Sequence, residues 1–177
     1  MIKTIALLLV LTVLALLAYA ATRPDTFAVE RSVTIAAPAE KLFPLINDMR
    51  SFNTWNPYNR KDPAMKGIYS GPQAGAGAAF DFHGNKGAGK GRLAITGTTE
   101  VSRVSMQLDM EEPFEGHNAI DFTLAPESDG TTRVTWSMHG PSSFLPKLMG
   151  IFFNMDQMIG KDFETGLANL KVLAEKP

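Results

Sequence analysis

No cysteine occurs among the 177 residues. Disulfides, thiolate catalysis, zinc fingers and iron–sulfur ligation are therefore excluded, while the compartment stays open, because a cysteine-free chain suits either side of a membrane. Neither sign of charge is in excess: 17 Lys plus Arg stand against 18 Asp plus Glu, a net of −1. No basic surface therefore argues for nucleic acid as a partner. Histidine is scarce. His83, His117 and His139 never fall at the HxxxH or HxH spacing of a ready metal site. Each lies on the polar side or at the end of a predicted strand, where a general acid or base would have no cavity to serve. There is no Gly-x-Ser-x-Gly elbow for a hydrolase nucleophile. Gly84-Asn85-Lys86-Gly87-Ala88-Gly89-Lys90 has the spacing of a phosphate-binding loop. However, Gly91 stands where Ser or Thr should hold magnesium, and a strand pattern follows instead of a helix. It reads as a hairpin loop that could border a cavity mouth. No catalytic residue, metal or cofactor is implied.

Long apolar runs are absent save one. Ile5 to Ala21 carries no charge and is preceded by Lys3. Ala18-Tyr19-Ala20 suits a signal-peptide exit, and the run also reaches the lower edge of a membrane-spanning length. Residues 1–21 are thus a membrane anchor or a signal segment. Tyr19 and Arg23 are placed to mark an interface, and the positive-inside rule puts the remainder outside the cytoplasm. Two localisations stay open: a single-pass membrane protein, or a secreted or periplasmic one after cleavage. Residues 22–26 read as a polar linker and 27–177 as one domain. With 45% hydrophobic and 20% charged residues, the chain has the composition of a packed globule.

Residues 27–35 alternate with period two, with Phe27, Val29, Val33 and Ile35 on one face and Arg31 interrupting it. Ala36-Ala37-Pro38-Ala39-Glu40 starts a helix with Pro38 at its first position. Leu42, Phe43, Leu45, Ile46 and Met49 form its stripe, and Pro44 should kink or shorten it. Ser51 to Pro63 reads as a short helix or turn and then loop. Six strands follow: 64–70, 77–83, 91–99, 103–111, 117–125 and 132–139. Ser128-Asp129-Gly130-Thr131 makes a hairpin turn. From Pro141 the period becomes helical, Ser142 or Ser143 can cap the start, and an amphipathic helix continues to about Ala174. Short connections predict an antiparallel seven-stranded sheet with helices on one face, an α+β architecture.

Several local motifs accompany this order. They are Arg31-Ser32, Ile35 to Glu40, Trp55-Asn56-Pro57, Asp62-Pro63, Gly71, Gly75, Gly77, Gly84-Asn85, Pro113-Phe114, Gly130-Thr131, Val134-Thr135-Trp136, Asp156, Ile159-Gly160, Asp162-Phe163-Glu164 and Gly166-Leu167. Together they resemble the START-like (SRPBCC) superfamily, in its polyketide cyclase/dehydrase and lipid transport branch, over residues 27 to 173. The resemblance implies a helix-grip fold: a curved sheet wrapped around a long C-terminal helix, with an apolar cavity between them. It is a poor guide to chemistry, because the superfamily holds binders, cyclases, transfer proteins and chaperone activators.

On that picture the inward faces offer Phe80, Phe82, Met106, Leu108, Met110, Phe122, Trp136 and Met138, and the last helix offers Met155, Ile159 and Phe163. Each could be core or cavity wall. Methionine, present nine times, adapts to irregular apolar ligands. Asp156 borders the buried helix stripe, where it could meet a ligand head group or make a structural bond. Gly160, on the same side, implies close packing or room for a ligand. Trp55 is either at the cavity edge or a core anchor. The cluster Phe144, Leu145, Leu148, Met149, Ile151, Phe152 and Phe153 is too apolar for a solvated helix face: it could pack on the protein, cover the cavity or touch a nearby bilayer as a membrane-proximal lip. The expected function is membrane-tethered binding of a small apolar molecule or lipid, with residues 5–21 in the membrane. A polyketide cyclase-like enzyme and a protein-interaction module with a vestigial cavity are the alternatives.

Overall fold

The structure is a computed structural model. It describes residues 1–62, 64–85 and 87–176, with the side chain of Arg60 excepted. Pro63, Lys86 and Pro177, which fall in two of the predicted loops and at the domain end, lie outside the described residues.

Helix α1 (Ile2–Thr22) is exposed along nearly its whole length. Only Ala20 is buried and Leu16 half-buried. β1 begins at Thr26, so only Arg23–Asp25 separates helix from strand. This link is tied down: the Ser142 N–H donates to the Asp25 carbonyl at 2.7 Å, and Lys147 pairs with the Asp25 carboxylate.

The sheet contains β1 (Thr26–Ile35), β2 (Lys66–Ser70), β3 (Ala79–His83), β4 (Lys90–Thr99), β5 (Arg103–Glu112), β6 (Gly116–Pro126) and β7 (Thr132–Pro141). Its order is β1-β7-β6-β5-β4-β3-β2, and each neighbouring pair is antiparallel. The long jump from β1 to β7 closes around the helices. Irregularities in the β4–β5 register at Lys90/Gly91 and Ile95/Gly97 add local bend and twist, as extra residues in a ladder do.

The predicted helix after β1 is α2 (Ala39–Asn47), the short helix or turn expected next is α3 (Met49–Trp55), and a further helix, α4 (Pro57–Lys61), stands where loop was expected. Pro38 precedes α2 as its extended N-cap rather than serving as its first residue. Pro44 lies inside α2, which ends one turn later. Asp48 then caps α3, its carboxylate accepting from the backbone of Arg50 and Ser51 at 2.8 and 2.9 Å. Met49 therefore opens α3 instead of ending the α2 stripe. The side chain of Asn56 accepts from Tyr58 N–H and starts α4 on Pro57.

The C-terminal helical stretch is likewise broken. α5 (Phe144–Phe152) and α6 (Met155–Ala174) are separate. Phe153 is extended, and the Asn154 side chain accepts from Gln157 N–H at 3.0 Å to restart the helix. Ser143 takes the N-cap position of α5 without a side-chain bond. α6 buries Phe163, Gly166, Leu167, Leu170 and Ala174 against the sheet and α2–α4. At its far end Lys171 Nζ donates to Thr34 O, and Ala36 N–H donates to the Glu175 carboxylate. The result is the helix-grip arrangement: a curved seven-stranded antiparallel sheet holding a C-terminal helix.

Candidate functional site

Aromatic packing sets one boundary of the interior. Phe52, Trp55, Phe122, Trp136 and Phe163 are each at most 2% exposed. Trp55 meets Phe52, Phe122 and Trp136 edge-on, with centroids 4.8 to 5.9 Å apart. Its indole N–H donates to Leu45 O at 2.8 Å. Trp136 stacks on Phe163 at 4.1 Å. Gly166 permits this approach, since a β-carbon there would stand 2.7 Å from the Trp136 ring and 2.9 Å from Pro57.

Beyond this cluster the interior is not filled. A cavity of about 320 Å³ lies between the sheet and α6. Of the predicted residues, Phe80, Phe82, Leu108, Trp136, Met138, Ile159 and Phe163 line it. Trp55, Met106 and Phe122 do not. They sit in the packed core, because the loop-side helices press on that end of the sheet and consume the space. Met155 and Asp156 also lie elsewhere, on the wall of a wider outer groove of about 1320 Å³. That groove runs between the β5–β6 hairpin, α5 and the first turn of α6, and Met110, Pro113, Asn118, Met138 and Ile159 border both spaces.

Sequence reasoning missed the polar end of the cavity. Asn53, Asn56, Tyr58 and Asn59 reach it from α3 and α4, a stretch whose helical character is obscured by its Asn and Pro content. Met110 and Ile120, on the inward faces that alternation predicts for their strands, line the cavity as well. Gly87, Ala88 and Gly89 of the β3–β4 hairpin line the cavity, as a mouth-bordering loop would.

Charge is nearly absent from this wall. Among the described lining residues none carries a formal charge, and Tyr58 is the one titratable side chain. Burial, then the charge of and hydrogen bond to Asp162, push the Tyr58 hydroxyl well above its ordinary range, because both disfavour a phenolate. Lys61 lies over the Tyr58 ring at 4.7 Å and pairs with Asp162 at 2.6 Å.

Asp156 is committed to structure. Both its oxygens accept from Arg31, at 2.9 and 3.2 Å, and the same guanidinium bonds Glu164 at 2.9 Å. The Arg31 hydrogen bond holds the Asp156 carboxyl below its usual range. The three histidines are exposed. His117 alone borders the outer groove, where its hydrogen bond to Asp109 at 2.7 Å raises its pKa. No group of three or more His, Cys, Asp or Glu able to hold a metal occurs among the described residues.

The family model for polyketide cyclase / dehydrase and lipid transport matches residues 26–175. The chain belongs to this family. Solved structures share the fold of this family member. A protein from Nitrosospira multiformis is 19% identical, with TM-score 0.60, over 82% of this chain and 94% of that one. A protein from Chromobacterium violaceum is 17% identical, with TM-score 0.60, over 88% and 100%. DynU16, from the dynemicin biosynthetic locus, is 15% identical, with TM-score 0.58, over 87% of this chain and 48% of its own. Comparison with curated proteins finds no match. Family and fold together support an apolar-ligand-binding or cyclase-like role, and one apolar helix precedes the domain.

Proposed function

We propose that the domain binds a small, neutral, apolar molecule between sheet and α6, while α1 holds it at a membrane. The observation that carries this reading is the cavity wall: about 320 Å³ of space whose described lining is aromatic, aliphatic, thioether and amide, without a charged side chain. Ligand cavities begin at roughly 300 Å³. Burial of ligand surface would supply about 25 cal/mol per Å² before ordering losses. An ionised head group in such a wall would lose its hydration without a counter-charge. Phe80, Phe82, Leu108, Trp136, Met138, Ile159 and Phe163 are the contact residues, with Asn53, Asn56 and Asn59 available to a hydroxyl or carbonyl.

The anchoring part of the proposal rests on α1. An 18-residue window within it has a mean hydropathy of 2.5, and its 21 residues, at 1.5 Å per residue, span about 31 Å, close to the bilayer core. With Lys3 on the inner side, the domain lies outside the cytoplasm. The cyclase-like alternative would have to use Tyr58 at the wall, with Asp162 behind it, because Asp156 is held by Arg31.

Native mass spectrometry of the full chain, gently extracted in detergent, tests the binding. An adduct of a small apolar molecule, or uptake of added decanol, is expected in the native protein and should be lost in Leu108→Trp. A native protein that arrives empty and takes up no decanol overturns the reading.

A further inference from the structure

The outer groove has an unusual rim. On one side α5 ends in Phe152, 65% exposed, followed by Phe153, and on the other Phe114 of the β5–β6 hairpin is 47% exposed. Phe144 and Leu145 extend the same apolar surface along α5. The only charge in α5 is Lys147. Its side chain is 9% exposed and turned onto Asp25, so it does not interrupt this surface. Contiguous exposed aromatic area of this kind marks an interaction surface.

The position of α5 says what that surface meets. α5 packs against α1. Arg23, one residue past the end of α1, reaches the Gly150 carbonyl of α5 and the Tyr19 hydroxyl, each at 3.5 Å. Arg and Tyr at the end of an apolar span belong at the membrane–water interface. Asp25, two residues further on, holds Lys147. The link is too short and too well bonded to let the rim swing away from the end of α1. The groove behind the rim shares Met110, Met138 and Ile159 with the inner cavity.

We propose that the rim of the outer groove, Phe114 on one lip and Phe152 with Phe153 on the other, docks into the headgroup–acyl boundary of the bilayer that holds α1. The groove is then the path along which a neutral apolar ligand passes between lipid and cavity, with α5 as its outer wall. This rests on the binding and anchoring proposed above. Apolar residues inserted at that depth bind through buried area, and aromatic side chains suit the boundary.

The absence of cysteine makes the test direct. Full-length Phe152→Cys and, as a control at the far end of α6, Val172→Cys are labelled with bimane and reconstituted in phosphatidylcholine nanodiscs. The lipid is used with and without a shallow acyl-chain doxyl quencher. Strong quenching at position 152 and little at 172 is expected. Equal quenching at the two positions, or shielding of 152 from aqueous iodide without doxyl quenching, overturns docking; the second result indicates self-association instead. In a second measurement, the paired change Phe152→Asp and Phe153→Asp is expected to slow decanol transfer from vesicles about tenfold while leaving equilibrium uptake unchanged. Unchanged transfer overturns the path. A native protein that takes up no decanol at all defeats the cavity reading, and the quenching pattern still decides docking on its own.

Discussion

The Arg31 guanidinium lies in the space that a side chain at position 160 would occupy, with Nη2 2.1 Å from where a β-carbon on Gly160 would stand. Arg31 sits on β1, opposite Trp136 of β7. From there it bonds Asp156 and Glu164 on either side of Gly160 along α6. The missing side chain lets one strand residue clasp two turns of the helix.

Gly160→Ala is therefore expected to destabilise the domain, against the usual helix preference. Alanine for glycine in a helix interior ordinarily gains about 1 kcal/mol. Here the added methyl must displace the guanidinium and with it the bonds to Asp156 and Glu164, which outweighs that gain. Thermal denaturation should show a lower Tm for Gly160→Ala in the native background. In an Arg31→Ala background, the same change should raise Tm, the sign reversal that direct coupling requires.

Asp48 should carry acid sensitivity. Burial alone would raise its pKa, but the N–H groups of Ser51 and Arg50 and the Gln73 side chain prevail and leave it below the ordinary carboxylate value. A carboxyl depressed by folding contributes stability above its unfolded pKa, near 3.9, and loses it as pH falls through the lower folded value. Asp48→Ala should cost about 1 kcal/mol at neutral pH, as a lost helix cap does. That deficit should shrink in urea titrations as pH drops below about 4.

Phe163 joins the core to the cavity wall. Phe163→Ala removes the ring stacked on Trp136 and should cost about 3 kcal/mol or more, because the neighbours cannot collapse fully into the space. Leu108→Trp acts in the opposite direction, filling the cavity. Guanidinium unfolding should place Phe163→Ala well below the native protein and Leu108→Trp close to it, with only the latter having lost uptake of decanol.

Tyr58 should resist ionisation. Its hydroxyl is held protonated by burial and by Asp162. The difference between native and Tyr58→Phe ultraviolet spectra should show no phenolate appearing as pH passes through about 10. A phenolate signal at that pH assigned to Tyr58 would mean that it is open to solvent.

The strands were legible because a sheet with one buried face imposes period two. Met106, Leu108 and Met110, read as inward, do share one face of β5. The helix breaks were harder to read. Asp48 and Asn154 look like ordinary polar residues until their side chains are seen accepting backbone N–H groups. Arg31 read only as a gap in an apolar face, because its partners lie more than a hundred residues away in α6.

The local pattern of the chain alone determined the strand series, the apolar leading segment and the surface position of the histidines, since these follow from periodicity and hydropathy along neighbouring residues. Tertiary structure alone decided which inward side chains meet empty space. Met106 and Leu108 are both inward on one strand, yet Met106 is packed beneath the α2–α4 side and Leu108 faces the cavity. The difference depends on how far the helices stand from each point of a curved sheet. That distance is set by contacts among elements remote in sequence, which no local pattern records.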